Sequence, residues 1–348
     1  MAMKKESSNQ DIVQILSSTN INQTDYGGVN PNKALSNIKK RCQEREKGIK
    51  SNLKTALVLQ GGGMRGVFGA GVCIALEELG YTDGFDELYG VSAGALNGAY
   101  FLSGQASYGT TIYYQDINNK HFINFLRFKR IVDIDFVMNI IKKIKPLNIN
   151  RLLSSPTIFN ILLTQVSTGE SIIFKSKFNK ADLLKILKAT AAIPFAYDIP
   201  VNIQGKDYLD GGVSCPIPIT EAIENECTDI LVVLTKPKSY KPTETKENIY
   251  RYLIKQKMQK HSKEFYKAYR DRYKKQTEQL DIIMGRKKCK NRKVNIVAIF
   301  PKEPLKIKRT TKNEKVLKDA AMEGAIKTLR LFGVNYYHPT ELLRFLNS

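Results

Sequence analysis

Ser92 stands in Gly90-Val91-Ser92-Ala93-Gly94, a G-x-S-x-G run between a short apolar segment (Phe85, Leu88, Tyr89) and a helix-patterned one (Ala93, Ala95, Leu96, Ala99, Tyr100, Leu102). A serine at a strand-to-helix corner is held on a tight, exposed turn, and small neighbours let other backbone pass the bend. Its hydroxyl then stands at the end of a sheet. The following N–H, at a helix N-terminus, can stabilise an oxyanion. The chemistry that suits this arrangement is nucleophilic attack on a carbonyl. A purely structural glycine-rich turn spells the same five letters, so the pentapeptide needs company.

Two further motifs supply it. Gly61-Gly62-Gly63-Met64-Arg65-Gly66 follows an apolar run and opens a helix. It is not a phosphate-binding P-loop, because no Gly-Lys-Ser/Thr closes it. It fits the dinucleotide pattern G-x-G-x-x-G, with Asp83 or Asp86 at about the distance of a ribose acid. It fits equally an oxyanion hole, offering consecutive N–H groups with no Cβ in the way and the Arg65 cation beside them. A serine elbow downstream favours the last reading, since both turns would occupy one sheet edge. Asp210-Gly211-Gly212 ends another strand-like stretch and could carry a base. Alone, an Asp-Gly pair is more often a simple turn. The usual base for a serine is histidine, but His121, His261 and His338 have no distinctive surroundings and read as surface or packing residues. Asp210 could then accept the Ser92 proton directly, its pKa mismatch with an alcohol offset by the glycine loop.

The elements that must position these groups are legible around them. Thr55 to Gln60 has the length and composition of a strand buried on both faces. Val67 to Leu79 reads as a helix stopped by Gly80. Strands are expected at Ile158–Leu163, Ser171–Phe174, Val201–Ile203, Tyr208–Leu209, Ile230–Leu234 and Val294–Phe300, with a hairpin turn at Gly205-Lys206. Helices are expected at Lys180–Thr190, Glu247–Ile283 and Asn313–Leu331. The alternation predicts a three-layer α/β/α sandwich with a mostly parallel central sheet. Three regions follow: a polar leader over 1–52, helix-patterned only from Lys33 to Lys50; a catalytic region over 53–237; and a basic, mainly helical region over 238–348 that completes or extends it.

Composition narrows the class. The 348 residues are 42% hydrophobic and 25% charged, which is globular rather than disordered or fibrous. No apolar run is long enough to span a bilayer, and the N-terminus lacks the apolar core of a secretory signal. Five cysteines without C-x-x-C spacing fit reduced, mostly buried thiols in a cytoplasmic protein, not a disulfide framework or a zinc site. The net charge of +22 is concentrated between Lys236 and Lys312, where 25 Lys/Arg face 7 Asp/Glu. Such a field attracts anionic membranes or nucleic acid; it also describes an ordinary lysine-rich surface.

In order and spacing, Gly61–Gly66, Gly90–Gly94 and Asp210–Gly212, together with Ala189-Thr190-Ala191-Ala192-Ile193-Pro194-Phe195, give a chain that resembles the patatin-like phospholipases, close to their stand-alone bacterial members. The likeness runs from about Lys54 to Pro237, with a weaker echo to Leu331. It implies Ser92 as nucleophile and Asp210 as proton acceptor. Gly61, Gly62, Gly63, Met64, Arg65, Gly66 and Ala93 would build the oxyanion hole, Gly90, Val91 and Gly94 the elbow, and Gly211 and Gly212 the Asp loop. It further implies acyl esters of phospholipids or other acylglycerols as substrates, with no metal or other cofactor. Gly212 departs from the pattern, since many relatives carry alanine there. The basic region would dock on an anionic membrane surface, making the protein peripheral, and no nucleic acid is expected. Two rivals stay open: a histidine-dependent esterase using Ser92, Asp210 and His261 or His338, and a basic nucleic-acid-binding module.

Overall fold

The computed structural model describes residues 26–127, 130–175, 180–244, 255–256, 258–288 and 293–334. Among these, nine strands join one sheet: β1 (Tyr26–Gly27), β2 (Thr55–Leu59), β3 (Glu87–Val91), β4 (Ile158–Gln165), β5 (Ser171–Lys175), β6 (Val201–Ile203), β7 (Lys206–Asp210), β8 (Asp229–Val233) and β9 (Asn295–Ile299). The central five, in the order β9-β8-β2-β3-β4, are parallel. Every residue of β2 and β8 is buried, which is why both read as unbroken apolar runs.

Among the described residues, six longer helices flank the sheet: α1 (Pro31–Glu46), α2 (Gly66–Glu78), α3 (Ala93–Leu102), α4 (Lys180–Ala191), α5 (Lys263–Ile283) and α6 (Glu314–Leu331). The two-residue period of the strands divides the core between the faces. Leu57, Leu59, Leu88, Leu231 and Val233 pack with residues of α2, α3 and α6 on one side. Ala56, Val58, Tyr89, Val91 and Ile230 pack with Ile219, Ile223, Ile282 and Ile283 on the other. Helices therefore cover both faces of a mostly parallel sheet, as the alternation predicts.

The arrangement that matters most lies along one edge of β4. Residues Ile158–Leu162 of β4 pair in parallel with β3, ending at Val91 opposite Leu162. The next residue, Leu163, pairs with Asp210, where the antiparallel β7 ends. The other edge of β4 is taken by β5 through Asn160–Thr164. Strands β3 and β7 thus share one edge of β4 and meet C-terminus to C-terminus. Ser92 and Asp210, 118 positions apart, are delivered to one point by strand register.

Helix α1 sits at the opposite end of the sheet. Its buried Ala34, Ile38 and Cys42 recur at four-residue spacing. Arg41 donates to both carboxylate oxygens of Asp86, which also accepts from the Thr55 N–H at 2.9 Å. Asp83 is held by Arg151 and by the Ser155 hydroxyl. Asp86 directly precedes β3 and so lies at the N-terminal end of the parallel strands, away from the glycine loop after β2. This corrects the ribose-acid reading: both carboxylates are anchoring groups.

Two stretches differ from expectation. Between α3 and β4 the sequence shows no clear period, yet the chain forms short helices at Ala106–Thr111, Ile134–Asn139 and Ile149–Ser154 and π-helical turns at Ile112–Asp116 and Ile140–Ile144. One-turn pieces interrupted by i→i+5 geometry leave no 3.6-residue pattern to read. The expected helix from Glu247 to Ile283 is broken at Lys260–Ser262, where the Ser262 hydroxyl accepts from the Phe265 N–H at 2.9 Å and caps a fresh start for α5. Residues 247–254 and 257 of that expectation lie outside the described residues, as do residues 1–25 of the polar leader, Cys289 and His338. The other four cysteines are buried free thiols. Among the described residues, no helix is long and apolar enough to cross a membrane.

Candidate active site

Ser92 occupies the corner between β3 and α3 with φ 56° and ψ −130°. A non-glycine residue there stores on the order of 1–3 kcal/mol, which its surroundings must over-determine. They do so from both sides. The Ser92 N–H donates to Thr190 Oγ1 at 2.9 Å, and that hydroxyl donates to the Leu162 carbonyl at 2.7 Å. The elbow is thereby tied through α4 to the point on β4 where β3 and β7 meet. Ser92 Oγ donates to Asp210 Oδ2 at 3.1 Å.

Asp210 is equally constrained. Its Oδ1 accepts from the Gly212 N–H at 2.7 Å, and its carbonyl accepts from Thr164 Oγ1 at 2.9 Å. Burial pushes the Asp210 carboxyl above the ordinary aspartate range; the Gly212 N–H, Arg272, Arg309 and the Ser92 hydroxyl pull back against that rise. A carboxylate destabilised by desolvation is a stronger base than one in water.

The glycine loop comes close enough to the elbow that a Cβ on Gly61 would lie 2.7 Å from Ser92 Cβ. Its amides do not all face the serine. The Met64 N–H donates to the Arg309 carbonyl and the Arg65 N–H to the Gly62 carbonyl, each at 3.3 Å. Gly66 packs its Cα against the Ala93 methyl and the Tyr113 hydroxyl. Its carbonyl accepts from Asn97 Nδ2 at 2.8 Å, and Asn97 Oδ1 accepts from Tyr113 at 2.9 Å. Sequence reading misses Thr190 as an anchor, and Asn97 and Tyr113 altogether. Their roles depend on tertiary contact, and only the α3 position of Asn97, one turn after Ala93, hints at its part.

Beside Ser92 and Asp210 opens a cavity of about 350 Å³, within the range of small-ligand sites. Much of its lining is apolar, including Ile112, Ile117, Val137, Ile141, Phe195 and Tyr269. Ile112, Ile117, Val137 and Ile141 come from the aperiodic stretch between α3 and β4. Arg65, Lys236, Arg272 and Arg309 line the same cavity. Burial, then Arg309, lowers the Arg65 pKa to about 10. Burial and Arg309 also lower that of Arg272, against the opposing pull of Asp210. Among the described residues, no group of three or more His, Cys, Asp or Glu is placed to hold a metal ion.

Among the described residues, the histidine alternative finds no support in the geometry. His261 Nε2 lies 2.7 Å from Asp198 Oδ1, with its ring against Phe265. His121 is exposed, near Phe136. Asp210 meets Ser92 directly, so no imidazole stands between them.

A three-layer α/β fold that presents an elbow serine, bonded to a buried aspartate beside a glycine loop, defines a recognisable class. Residues 57–223 match the family model described as Patatin-like phospholipase. Over those residues the chain is similar to the domain of that family. Over 190 residues it is 31% identical to the uncharacterized protein YjjU of Escherichia coli (strain K12), covering 53% of this chain and 52% of YjjU. A 143-residue match, 32% identical, reaches the human 1-acylglycerol-3-phosphate O-acyltransferase PNPLA3, covering 39% of this chain and 28% of that protein. The chain thus spans about half the length of the first relative and little over a quarter of the second. The crystal structure of VipD from Legionella pneumophila overlaps 85% of this chain and 70% of its own, with 12% identity and a TM-score of 0.43.

Proposed function

We propose that the protein is a serine hydrolase of lipid acyl esters. The observation that carries this reading is the 3.1 Å hydrogen bond from Ser92 Oγ to Asp210 Oδ2, both lining a largely apolar cavity. Asp210 takes the hydroxyl proton as Ser92 Oγ attacks the ester carbonyl carbon. The N–H groups of Gly62, Gly63 and Ala93 hold the developing oxyanion. Collapse of the tetrahedral intermediate breaks the ester C–O bond, and the leaving alcohol takes the proton from Asp210. Water, deprotonated by the same carboxylate, then cleaves the acyl-enzyme and frees the fatty acid and Ser92. The apolar wall from Ile112 to Ile141 suits an acyl chain. The test is incubation with defined acylglycerols and phospholipids, with the released lipids identified by mass spectrometry. Release of neither fatty acid nor lyso-lipid from any of them overturns the proposal.

The raised Asp210 pKa fixes the direction of the pH dependence. The base works ionised, so turnover falls as pH drops through its pKa, and this acid limb lies above the ordinary aspartate value. Arg272 favours the ionised form. Arg272→Gln therefore moves the limb to higher pH, read from kcat/KM profiles on a short neutral ester. A limb that stays put or moves down contradicts Asp210 as the base.

Peripheral membrane docking belongs to the same proposal. Phe125, 69% exposed, lines the cavity, and its neighbour Leu126 is 94% exposed. Apolar side chains projecting beside the cavity suit an interface, with basic residues adding attraction to anionic lipid. In vesicle flotation, Leu126→Asp is expected to reduce binding several-fold, and anionic vesicles to bind more protein than neutral ones. Equal binding of the unaltered protein to both vesicle types removes the electrostatic part.

A further inference from the structure

Among the described residues, the cavity is lined by four cationic side chains and by Asp210 as its one carboxylate. Arg65 comes from the glycine loop, Lys236 from the segment after β8, Arg272 from the inner part of α5, and Arg309 from the connection between β9 and α6. Among the described residues, none of the four lies within ion-pair distance of a carboxylate, although other arginines of the chain find such partners. The Nε atoms of Arg65 and Arg272 are shielded from solvent and have no hydrogen-bond acceptor. Leaving a buried donor of a charged group unpaired is costly.

The cluster is also held in place. The backbone of Arg309 is docked on the loop, its carbonyl accepting from the Met64 N–H at 3.3 Å. Lys236 Nζ lies 5.0 Å from the centre of the Tyr240 ring. Thr235, just before Lys236, donates its N–H to Gln60 Oε1 at 2.8 Å and its hydroxyl to the Gly61 carbonyl at 3.1 Å. Stabilising an ionised Asp210 accounts for one positive charge and leaves about three over.

Resting on the hydrolase reading above, we propose that Arg65, Lys236, Arg272 and Arg309 form a phosphate subsite, and that the preferred substrate is an acyl ester carrying a phosphate monoester headgroup. Guanidinium forks match phosphate oxygens in pairs. A monoester dianion uses the surplus charge more fully than a diester, and a headgroup with its own ammonium would set like charges together. The acyl chain lies along the Ile112–Ile141 wall with its ester carbonyl at Ser92, and the phosphate reaches the arginines on the polar side.

Two arms separate this claim from the reading it rests on. In the binding arm, the full chain carrying Ser92→Ala is titrated calorimetrically with decyl phosphate, decyltrimethylammonium and inorganic phosphate. Decyl phosphate is expected to bind at least tenfold more tightly than either of the others. Adding Arg309→Gln or Lys236→Gln should weaken it about tenfold, and Arg309→Lys should restore part of the loss. In the kinetic arm, dilauroyl phosphatidate and dilauroylglycerol are compared in neutral detergent micelles. The phosphate ester should lead in kcat/KM by at least tenfold, and Arg309→Gln should collapse that ratio. Lys236→Gln serves as the second variant should Arg309→Gln fail to fold. Selective decyl phosphate binding with no hydrolysis of any ester overturns the hydrolase and keeps the subsite. Hydrolysis without headgroup preference, together with equal binding of the two decyl probes, overturns the subsite and keeps the hydrolase. Inorganic phosphate binding as tightly as decyl phosphate assigns the cluster to free phosphate and overturns the substrate claim.

Discussion

Ser92→Ala is expected to lower kcat for ester hydrolysis by about 10⁴-fold while leaving the fold intact. The substitution removes one oxygen and nothing that positions the backbone. The Ser92 N–H keeps its bond to Thr190, and Thr190 keeps its bond to Leu162. Asp210 loses a donor on Oδ2 but retains the Gly212 N–H on Oδ1. Stability should therefore change by no more than about 1 kcal/mol. Residual turnover would come from the amide cradle polarising the ester for attack by water. Asp210→Asn should cost nearly as much, because an amide accepts no proton from the serine. The double variant should be no worse than the poorer single one, since the two groups act as a unit. Purified protein carrying Ser92→Ala that still turns over ester at more than a hundredth of the original rate removes Ser92 from the nucleophile role. Independent, multiplying losses would separate Asp210 from it.

What the sequence discloses about this site, and what it withholds, has a physical basis. The elbow, the glycine loop and the Asp-Gly-Gly turn are legible because each is a local backbone demand that only certain residue types satisfy. The buried parallel strands are legible because two-sided burial leaves continuous apolar runs, as in Thr55–Leu59 and Asp229–Val233. The convergence of β3 and β7 on Leu162 and Leu163 has no such local signature; it is a matter of which strand edge is occupied and by whom. The cavity escapes notice for a related reason. Part of its wall is built from one-turn helices and π-turns whose apolar residues follow no single period. The arginine cluster escapes because Arg65, Arg272 and Arg309 lie far apart in the chain, and nothing marks Arg272 or Arg309 within a region where every third residue is basic. The Asp83/Asp86 alternative shows the reverse error. Spacing alone placed a carboxylate near the loop, but a parallel strand carried it to the far end of the sheet.

The same substitution at two motif glycines should have opposite outcomes. A Cβ on Gly94 would lie 2.3 Å from the Leu59 carbonyl oxygen and 3.0 Å from that of Gln60. Both are backbone atoms at the end of the central strand β2, and neither can rotate away. Relief requires α3 to lift off β2, which drags Ser92 with it and opens the packing of Ala95 and Ala99, both buried. Gly94→Ala is therefore expected to destabilise the protein by more than about 3 kcal/mol or to prevent its folding. At Gly212 the nearest obstacle to a Cβ is the Asp210 carboxylate oxygen at 3.1 Å, followed by Asp210 Cγ at 3.8 Å. A side-chain oxygen can yield by a few tenths of an ångström, and the residue lies within a helical turn, Gly211–Val213, that alanine adopts without strain. Gly212→Ala should change stability by less than about 1 kcal/mol, within the usual span of a benign substitution. Because the displaced atom is the one that accepts the Gly212 N–H, any effect on turnover should appear in the acid limb of the pH profile before it appears in KM. Thermal melts of both variants, with pH–rate profiles for Gly212→Ala, check the pair. Similar stability in the two proteins would mean that the elbow helix does not rest on the end of β2, and the geometry that aims Ser92 at Asp210 would need another cause.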